Sequence, residues 1–283
     1  MRGERTILGL KREFPTGALF DEISSYWEEI ANANATEKQV NFVKKHVAAV
    51  GLVLDLGCGS GRHAVALGKS GYDMIGLDVS LRLLKTAKTK AAQAGVGLGL
   101  LRADMRFLPF RFGVFSAVVS LDSSFGYLLS KEEDLLSFGE VARTLAAGGI
   151  AVVDVFNRER FVQRYEKKLD FGFWSRFFGL LPKLPWLAGL FRWREYPSFW
   201  LLQKRRANAE SGLLRDLWVF RDKKTGKITV AEHVIRLYGF SQLKTLVERA
   251  DLRVLKTFGN YEGEEYKLVS SRLILVAAKA AGD

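Results

Sequence analysis

Short apolar runs alternate with stretches of helical spacing along most of the chain. Leu52–Leu54, Met74–Leu77, Leu98–Leu101, Val114–Leu121 and Ile150–Phe156 are runs of strand length, too uniformly apolar to belong to a sheet with one wet face. Between them, Ala64-Val65-Leu67, Ser80 to Ala94 and Leu135 to Leu145 repeat apolar residues at three- and four-residue intervals. Strand-length runs alternating with helices predict an α/β domain whose parallel sheet is covered on both faces. The pattern resumes after a gap. Ser241 to Ala250 is helical, and Leu252–Phe258 and Ser271–Lys279 read as two closing strands.

The gap, residues 157–238, has a different texture. Phe199–Gln203, Leu213–Phe220 and Ile228–Tyr238 read as antiparallel strands, with Thr225-Gly226 as a turn. In the last of these, His233, Ile235 and Leu237 share one face and Val234, Arg236 and Tyr238 the other. Two units follow: residues 1–156 with 239–283, and an inserted subdomain, 157–238, built as an antiparallel β lid over the first.

The ends of the apolar runs carry the candidate chemistry. The first run ends in Asp55, followed by Gly57, Gly59 and Gly61 at alternate positions and then a helix. Glycines at such a corner admit positive φ and let a ligand meet bare backbone. The dinucleotide fingerprint would need glycine at position 62, where Arg62 stands. The second run ends in Asp78, seventeen residues beyond Gly61, where doubly wound folds place the carboxylate that binds ribose hydroxyls. Ala103-Asp104-Met105 follows the third run and Asp122-Ser123-Ser124-Phe125-Gly126-Tyr127-Leu128 the fourth.

This order of motifs, D-x-G-x-G-x-G then Asp78 then Asp104, resembles the class I S-adenosylmethionine-dependent methyltransferases. Gly148-Gly149 resembles that family's turn before the fifth strand, with Ala147 in place of its proline. Glu232-His-Val-Ile-Arg-Leu-Tyr238, Ser124-Phe-Gly-Tyr-Leu128 and Gly259-x-Tyr261-x-Gly263 are similar to a branch with an inserted lid, so the likeness runs from about Phe20 to Lys279. The resemblance implies a seven-stranded doubly wound sheet, order 3-2-1-4-5-7-6 with strand 7 antiparallel, and S-adenosylmethionine as cofactor. It implies that Asp55, Gly57, Cys58, Gly59, Gly61 and His63 surround the methionine end. Asp78 and Val79 would then hold the ribose, Asp104 and Met105 the adenine, with Leu121 beneath. An aromatic of the N-terminal helix, Tyr26 or its neighbour Trp27, would cap the methyl site. His233 is the first candidate base, with Tyr127 and Asp122 orienting the acceptor.

Composition narrows the acceptor less than it narrows the compartment. One cysteine, Cys58, in 283 residues permits no internal disulfide and fits a reducing compartment. No signal-peptide core and no 18-residue apolar span is present, so a cytoplasmic protein is expected. No ligand spacing for a metal occurs, and the Asp/Asn-Pro-Pro-Tyr motif of amino-directed nucleic-acid methyltransferases is absent. Of the net charge of +12, most lies in residues 157–228, with 17 Lys and Arg against 7 Asp and Glu. Segment 165–200 adds dense aromatics, among them Trp174, Phe177 and Phe178. Three readings of it stay open: a small core lining the acceptor site, peripheral membrane contact, or a single-stranded nucleic-acid platform. Methyl transfer to oxygen or nitrogen of a small hydrophobic acceptor is the leading expectation. An RNA-modifying enzyme and a non-catalytic cofactor-binding module are the alternatives.

Overall fold

The computed structural model describes residues 16–31, 35–128, 130–165 and 192–280. Strands β1 (Leu52–Leu56), β2 (Asp73–Asp78), β3 (Leu98–Arg102), β4 (Phe115–Ser120), β5 (Leu145–Phe156), β10 (Leu252–Phe258) and β11 (Arg272–Lys279) form one sheet in the order β10-β11-β5-β4-β1-β2-β3. Counting core strands alone, this is the expected 3-2-1-4-5-7-6, and β11 runs antiparallel to both neighbours. Alternate residues of β1 enter opposite cores. Val53 packs with α3 (Ala35–His46) and α4 (Arg62–Lys69), while Leu54 and Leu56 pack with α6 (Lys131–Thr144) and α8 (Phe240–Arg249). Burial on both faces explains why these strands read as unbroken apolar runs.

Local sequence accounts for most boundaries. Helix α5 (Leu81–Gln93) starts where Ser80 Oγ accepts the Leu83 N–H at 3.2 Å, and α6 where Ser130 Oγ accepts that of Glu133 at 3.1 Å. Strand β5 departs from expectation by starting at Leu145 rather than Ile150. Leu145 pairs with Phe115 directly after α6, residues 146–149 swing out, and Ile150 pairs with Ala117. Gly148, at φ +72°, makes this bulge possible.

Between β5 and α8 lie α7 (Arg158–Tyr165) and a second, antiparallel sheet, ordered β6 (Arg192–Glu195), β7 (Phe199–Asn208), β8 (Leu213–Asp222), β9 (Ile228–Arg236). Strands β7 and β8 outrun the expected ones, β9 stops two residues short of Tyr238, and β6 was not foreseen. Its two arginines and one glutamate disguise an edge strand that backbone pairing to β7 creates. Of the aromatic segment 165–200, Trp174, Phe177 and Phe178 lie outside the described residues. Two N-terminal helices, α1 (Thr16–Glu22) and α2 (Ser24–Ala31), bridge the sheets. Ile23 and Tyr26 are buried with Phe199, Trp218 and Phe220, and Glu29 Oε2 accepts the Ser198 N–H at 3.1 Å.

Where β9 ends, Asp134 is fully buried and accepts the Tyr238 hydroxyl, with Arg236 Nε 4.0 Å away. Burial pushes its carboxyl up to about 7. Between pH 4 and 7 the unfolded chain therefore releases a proton that the native state retains, and stability falls as pH rises. Asp134→Asn is expected to leave stability near the wild-type value at pH 4 and to gain roughly 1–2 kcal/mol by pH 8, the Tyr238 bond being retained by the amide oxygen. Urea denaturation at the two pH values checks this; a gain that is the same at both would refute it.

Candidate active site

A cleft of about 1360 Å³ opens at the carboxyl ends of β1–β4, walled by α1 on one side and by β9 of the second sheet on another. That exceeds the ~300–1,000 Å³ of one small-molecule site and leaves room for a cofactor beside an acceptor. Among the described residues no helix is long and apolar enough to cross a membrane, and no group of His, Cys, Asp or Glu is placed to hold a metal ion.

The glycine turn forms the floor. A Cβ at Gly57 would lie 2.5 Å from Ser124 Oγ, and one at Gly61 2.8 Å from the Ala87 Cβ, so packing excludes side chains at both. At Gly59 the nearest atom to such a Cβ is Trp27 Nε1, 3.8 Å away, and the backbone faces the cleft. Cys58 is buried in the turn with its side chain against Gly76. Asp78 secures the turn from β2. Its Oδ2 accepts the Gly59 N–H at 2.8 Å and its Oδ1 the Ser80 N–H at 2.8 Å. Each oxygen keeps a lone pair, and the residue lines the cleft beside Val79 and Leu121. Gly17 of α1 lies so close over Val79 that a Cβ would stand 3.0 Å from the Val79 carbonyl oxygen. Asp104 and Met105 line the far end, where Arg106 Nε and its backbone N–H both donate to Asp104 Oδ1, at 3.0 and 2.9 Å. The Arg106 partner holds the Asp104 carboxyl below its usual range, so it stays ionised.

Three expected positions need correction. Asp55 lies under the turn rather than in the cleft, only 1% exposed, with Oδ2 unpartnered and its carboxyl pushed by burial up to about 7. Tyr26 does not face the cleft. It stacks on Phe220 with ring centroids 4.4 Å apart, because the helical turn that points Tyr26 into the second sheet points its neighbour Trp27 at the glycines. Asp122 does line the cleft, yet both its oxygens are engaged. Arg62 pairs with one, and Gln39 Nε2 donates to the other at 2.9 Å. Its own N–H donates to Asp154 Oδ2 at 2.9 Å, and φ values of +56° and +67° at Asp122 and Ser123 mark a turn held in the left-handed region by its surroundings. His63 is buried and held well below its ordinary pKa by desolvation, so it is neutral; its Nε2–H donates to Gln39 Oε1 at 2.8 Å.

His233 projects from the inner face of β9, 6% exposed, and lines the cleft with neither ring nitrogen hydrogen-bonded. Its ring stacks on Tyr127 at 5.7 Å and meets the edge of Trp218 at 4.6 Å. Behind it, Asp216 is fully buried, accepting Arg205 Nε at 2.7 Å and Gln203 Nε2 at 2.8 Å, with His233 Nε2 3.9 Å away. Burial, with the Arg205 charge adding to it, pushes the imidazole down to about 3. Tyr127 is half-buried and desolvation raises its phenol above its ordinary pKa, so both groups are neutral at working pH. Arg62, Asp216 and Arg205 escaped the sequence reading. Arg62 was visible only as the residue spoiling a dinucleotide motif, and nothing local marked the other two, while for Tyr26 and Trp27 nothing local decided which would face the cleft.

Residues 53–149 match the family model described as "Methyltransferase domain". The Bacillus subtilis protein YqeM is 28% identical over 48% of this chain and 55% of its own length. The dTDP-3-amino-3,4,6-trideoxy-alpha-D-glucopyranose N,N-dimethyltransferase of Streptomyces venezuelae is 36% identical over 40% of this chain and 46% of its own. The chain thus spans about half the length of the curated relatives it matches. The crystal structure of the CcbJ methyltransferase from Streptomyces caelestis superposes with a TM-score of 0.76 over 95% of this chain and all of that one; at 17% identity the likeness is one of fold. Residues 53–149 thus match a methyltransferase domain, and the glycine turn and strand order around it are similar to those of the class I S-adenosylmethionine-dependent methyltransferases.

Proposed function

We propose that this chain transfers a methyl group from S-adenosylmethionine to oxygen or nitrogen of a small acceptor with an apolar body, bound between the glycine turn and the second sheet. When bound, the cofactor supplies an electrophilic methyl group on a sulfonium and departs as a neutral thioether. Gly57, Cys58, Gly59 and His63 would surround its methionine end, the open lone pairs of Asp78 would take the ribose hydroxyls, and Asp104 with Met105 the adenine. Residues 157–238 act as the lid that excludes water while α1 and α2 close the other side. With the donor carrying the reactive carbon, the protein's part is alignment and dehydration.

The observation that carries the acceptor site is His233. A buried imidazole whose two nitrogens have no partner leaves an unmet hydrogen-bonding demand facing the cleft. A neutral ring there accepts a hydrogen bond from an acceptor N–H or O–H and turns its lone pair toward the methyl group. The Streptomyces venezuelae relative is named for methylation at a sugar nitrogen, which favours a small-molecule acceptor over RNA.

Titration calorimetry tests the donor half. Asp78→Ala is expected to weaken S-adenosylmethionine binding by about 2 kcal/mol through loss of charge-assisted hydrogen bonds; unchanged affinity would remove Asp78 as the ribose anchor, and NAD binding by the wild type would overturn the reading. Transfer of a radiolabelled methyl group, screened over lipophilic acids, phenols and amines, tests the acceptor half. Cofactor binding with no transfer to any acceptor class would favour a binding module.

A further inference from the structure

Five rings close a cycle around the inner end of the cleft. Centroid distances run 5.2 Å from Phe20 to Trp27, 5.7 Å to Trp218, 4.6 Å to His233, 5.7 Å to Tyr127 and 5.3 Å back to Phe20. The rings come from α1, α2, β8, β9 and the loop after β4, so no single segment contains the motif. Four of the five, Phe20, Trp27, Tyr127 and His233, line the cleft beside the glycine turn. The rings meet at 70–83° on three sides of the cycle and lie near-parallel at Trp27–Trp218 (16°) and Tyr127–His233 (30°), so only some faces turn to its centre. With sides near 5.3 Å that centre is about 4.5 Å from the centroids, within the ~6 Å over which a cation is attracted to an aromatic face.

We propose that this cycle is an aromatic cage for an aliphatic ammonium group, and that the acceptor of the methyl group is accordingly an amine; the second half of this inference rests on the function proposed above. Several features of the cage suit a cation better than a neutral apolar group. Its Trp and Tyr rings have the electron-rich faces that attract ammonium groups most strongly. The one imidazole among them is neutral, so it adds no repelling charge. Asp216, 3.9 Å behind the His233 ring, is ion-paired with Arg205, so the two add no net charge to the cage, and no Lys or Arg belongs to the cycle itself. An amine also uses the cage twice. The lone pair of its neutral form attacks, and as the carbon–sulfur bond breaks and the nitrogen–carbon bond forms, positive charge builds on the nitrogen among the rings. The electron pair of the broken bond leaves with the thioether sulfur, and the proton carried by the product ammonium passes to solvent water, restoring the neutral amine. A phenolate or carboxylate acceptor would develop no such charge and would gain nothing from the aromatic faces.

Choline and its neutral isostere 3,3-dimethylbutan-1-ol separate cation recognition from apolar burial, since they share shape and hydroxyl and differ in charge. Titrated into the full chain saturated with S-adenosylhomocysteine, choline is expected to bind at least tenfold more tightly than the alcohol. The quenching of Trp27 and Trp218 fluorescence reports the same event. Phe20→Leu, which removes one face at a half-buried position, is expected to shrink the ratio at least threefold. Equal affinities for the two compounds, or binding of neither, would overturn the cage whether or not methyl transfer is found. Preferential choline binding in a protein that fails to bind S-adenosylmethionine would uphold the cage and discard the methyl-transfer reading, so the two failures are distinguishable.

Discussion

Arg205→Ala is expected to destabilise the native state by about 3–5 kcal/mol, the usual cost of stranding a buried charge. Asp216 has no exposure, and Arg205 Nε at 2.7 Å is its only close cationic partner among the described residues. Removing the guanidinium leaves a carboxylate inside the second sheet with only Gln203 as donor, so the carboxyl, already raised by burial, must take up a proton or unfold the sheet. The guanidinium also sits over the rings of Phe156, Phe161 and Tyr165 at 5.5–5.9 Å, contacts that alanine forfeits. Guanidinium chloride denaturation gives the loss. Replacing both partners with apolar residues (Arg205→Met with Asp216→Leu) should recover most of it, since neither charge is then left buried alone. A single-mutant loss below 1 kcal/mol would mean that water reaches Asp216.

His233→Phe is expected to lower turnover about a hundredfold while leaving S-adenosylmethionine affinity unchanged. Phenylalanine keeps an aromatic ring against Tyr127 and Trp218, removes both nitrogens and adds one ring atom, so unchanged cofactor affinity is the control that the larger ring has not disturbed the cleft. The size follows from alignment. Losing the group that orients an acceptor lone pair costs on the order of a hundredfold when reacting atoms shift by about 1 Å. Full proton removal is not the source, because an imidazole at about 3 is a weak base at neutral pH. The kcat profile of the wild type should therefore show no limb near pH 6.5 from this residue. The sign for stability follows too. The native imidazole stays neutral between pH 3 and 6.5 while the unfolded one protonates, so wild-type stability falls as pH drops through that window and His233→Phe is spared this contribution. A kcat limb at pH 6–7 that vanishes in the variant would restore His233 as a general base.

Much of this protein was decided locally. The run of apolar residues into Asp55, the three glycines and the carboxylates at positions 78 and 104 were legible because each depends on its own strand end. Parallel strands buried on both faces must be apolar throughout. A turn wedged between Ser124 and Ala87 admits no Cβ. A helix after a strand needs a cap, which Ser80 supplies. The signals of these constraints are local, so the fold class and the glycine turn at the floor of the cleft were written in the chain.

The acceptor side was not, because nothing local distinguishes its parts. Trp27 rather than Tyr26 faces the cleft only because α2 docks on the second sheet in one particular rotation, a choice made by Phe199 and Phe220 nearly two hundred residues away. Asp122 and Arg62, sixty residues apart, read as a carboxylate to orient the acceptor and a broken motif until their ion pair joined them. Even the aromatic cycle draws single residues from five segments between Phe20 and His233. Side-chain periodicity reveals which face of an element is buried. What that face is buried against depends on long-range packing, and in this protein the chemistry of the acceptor site resides there.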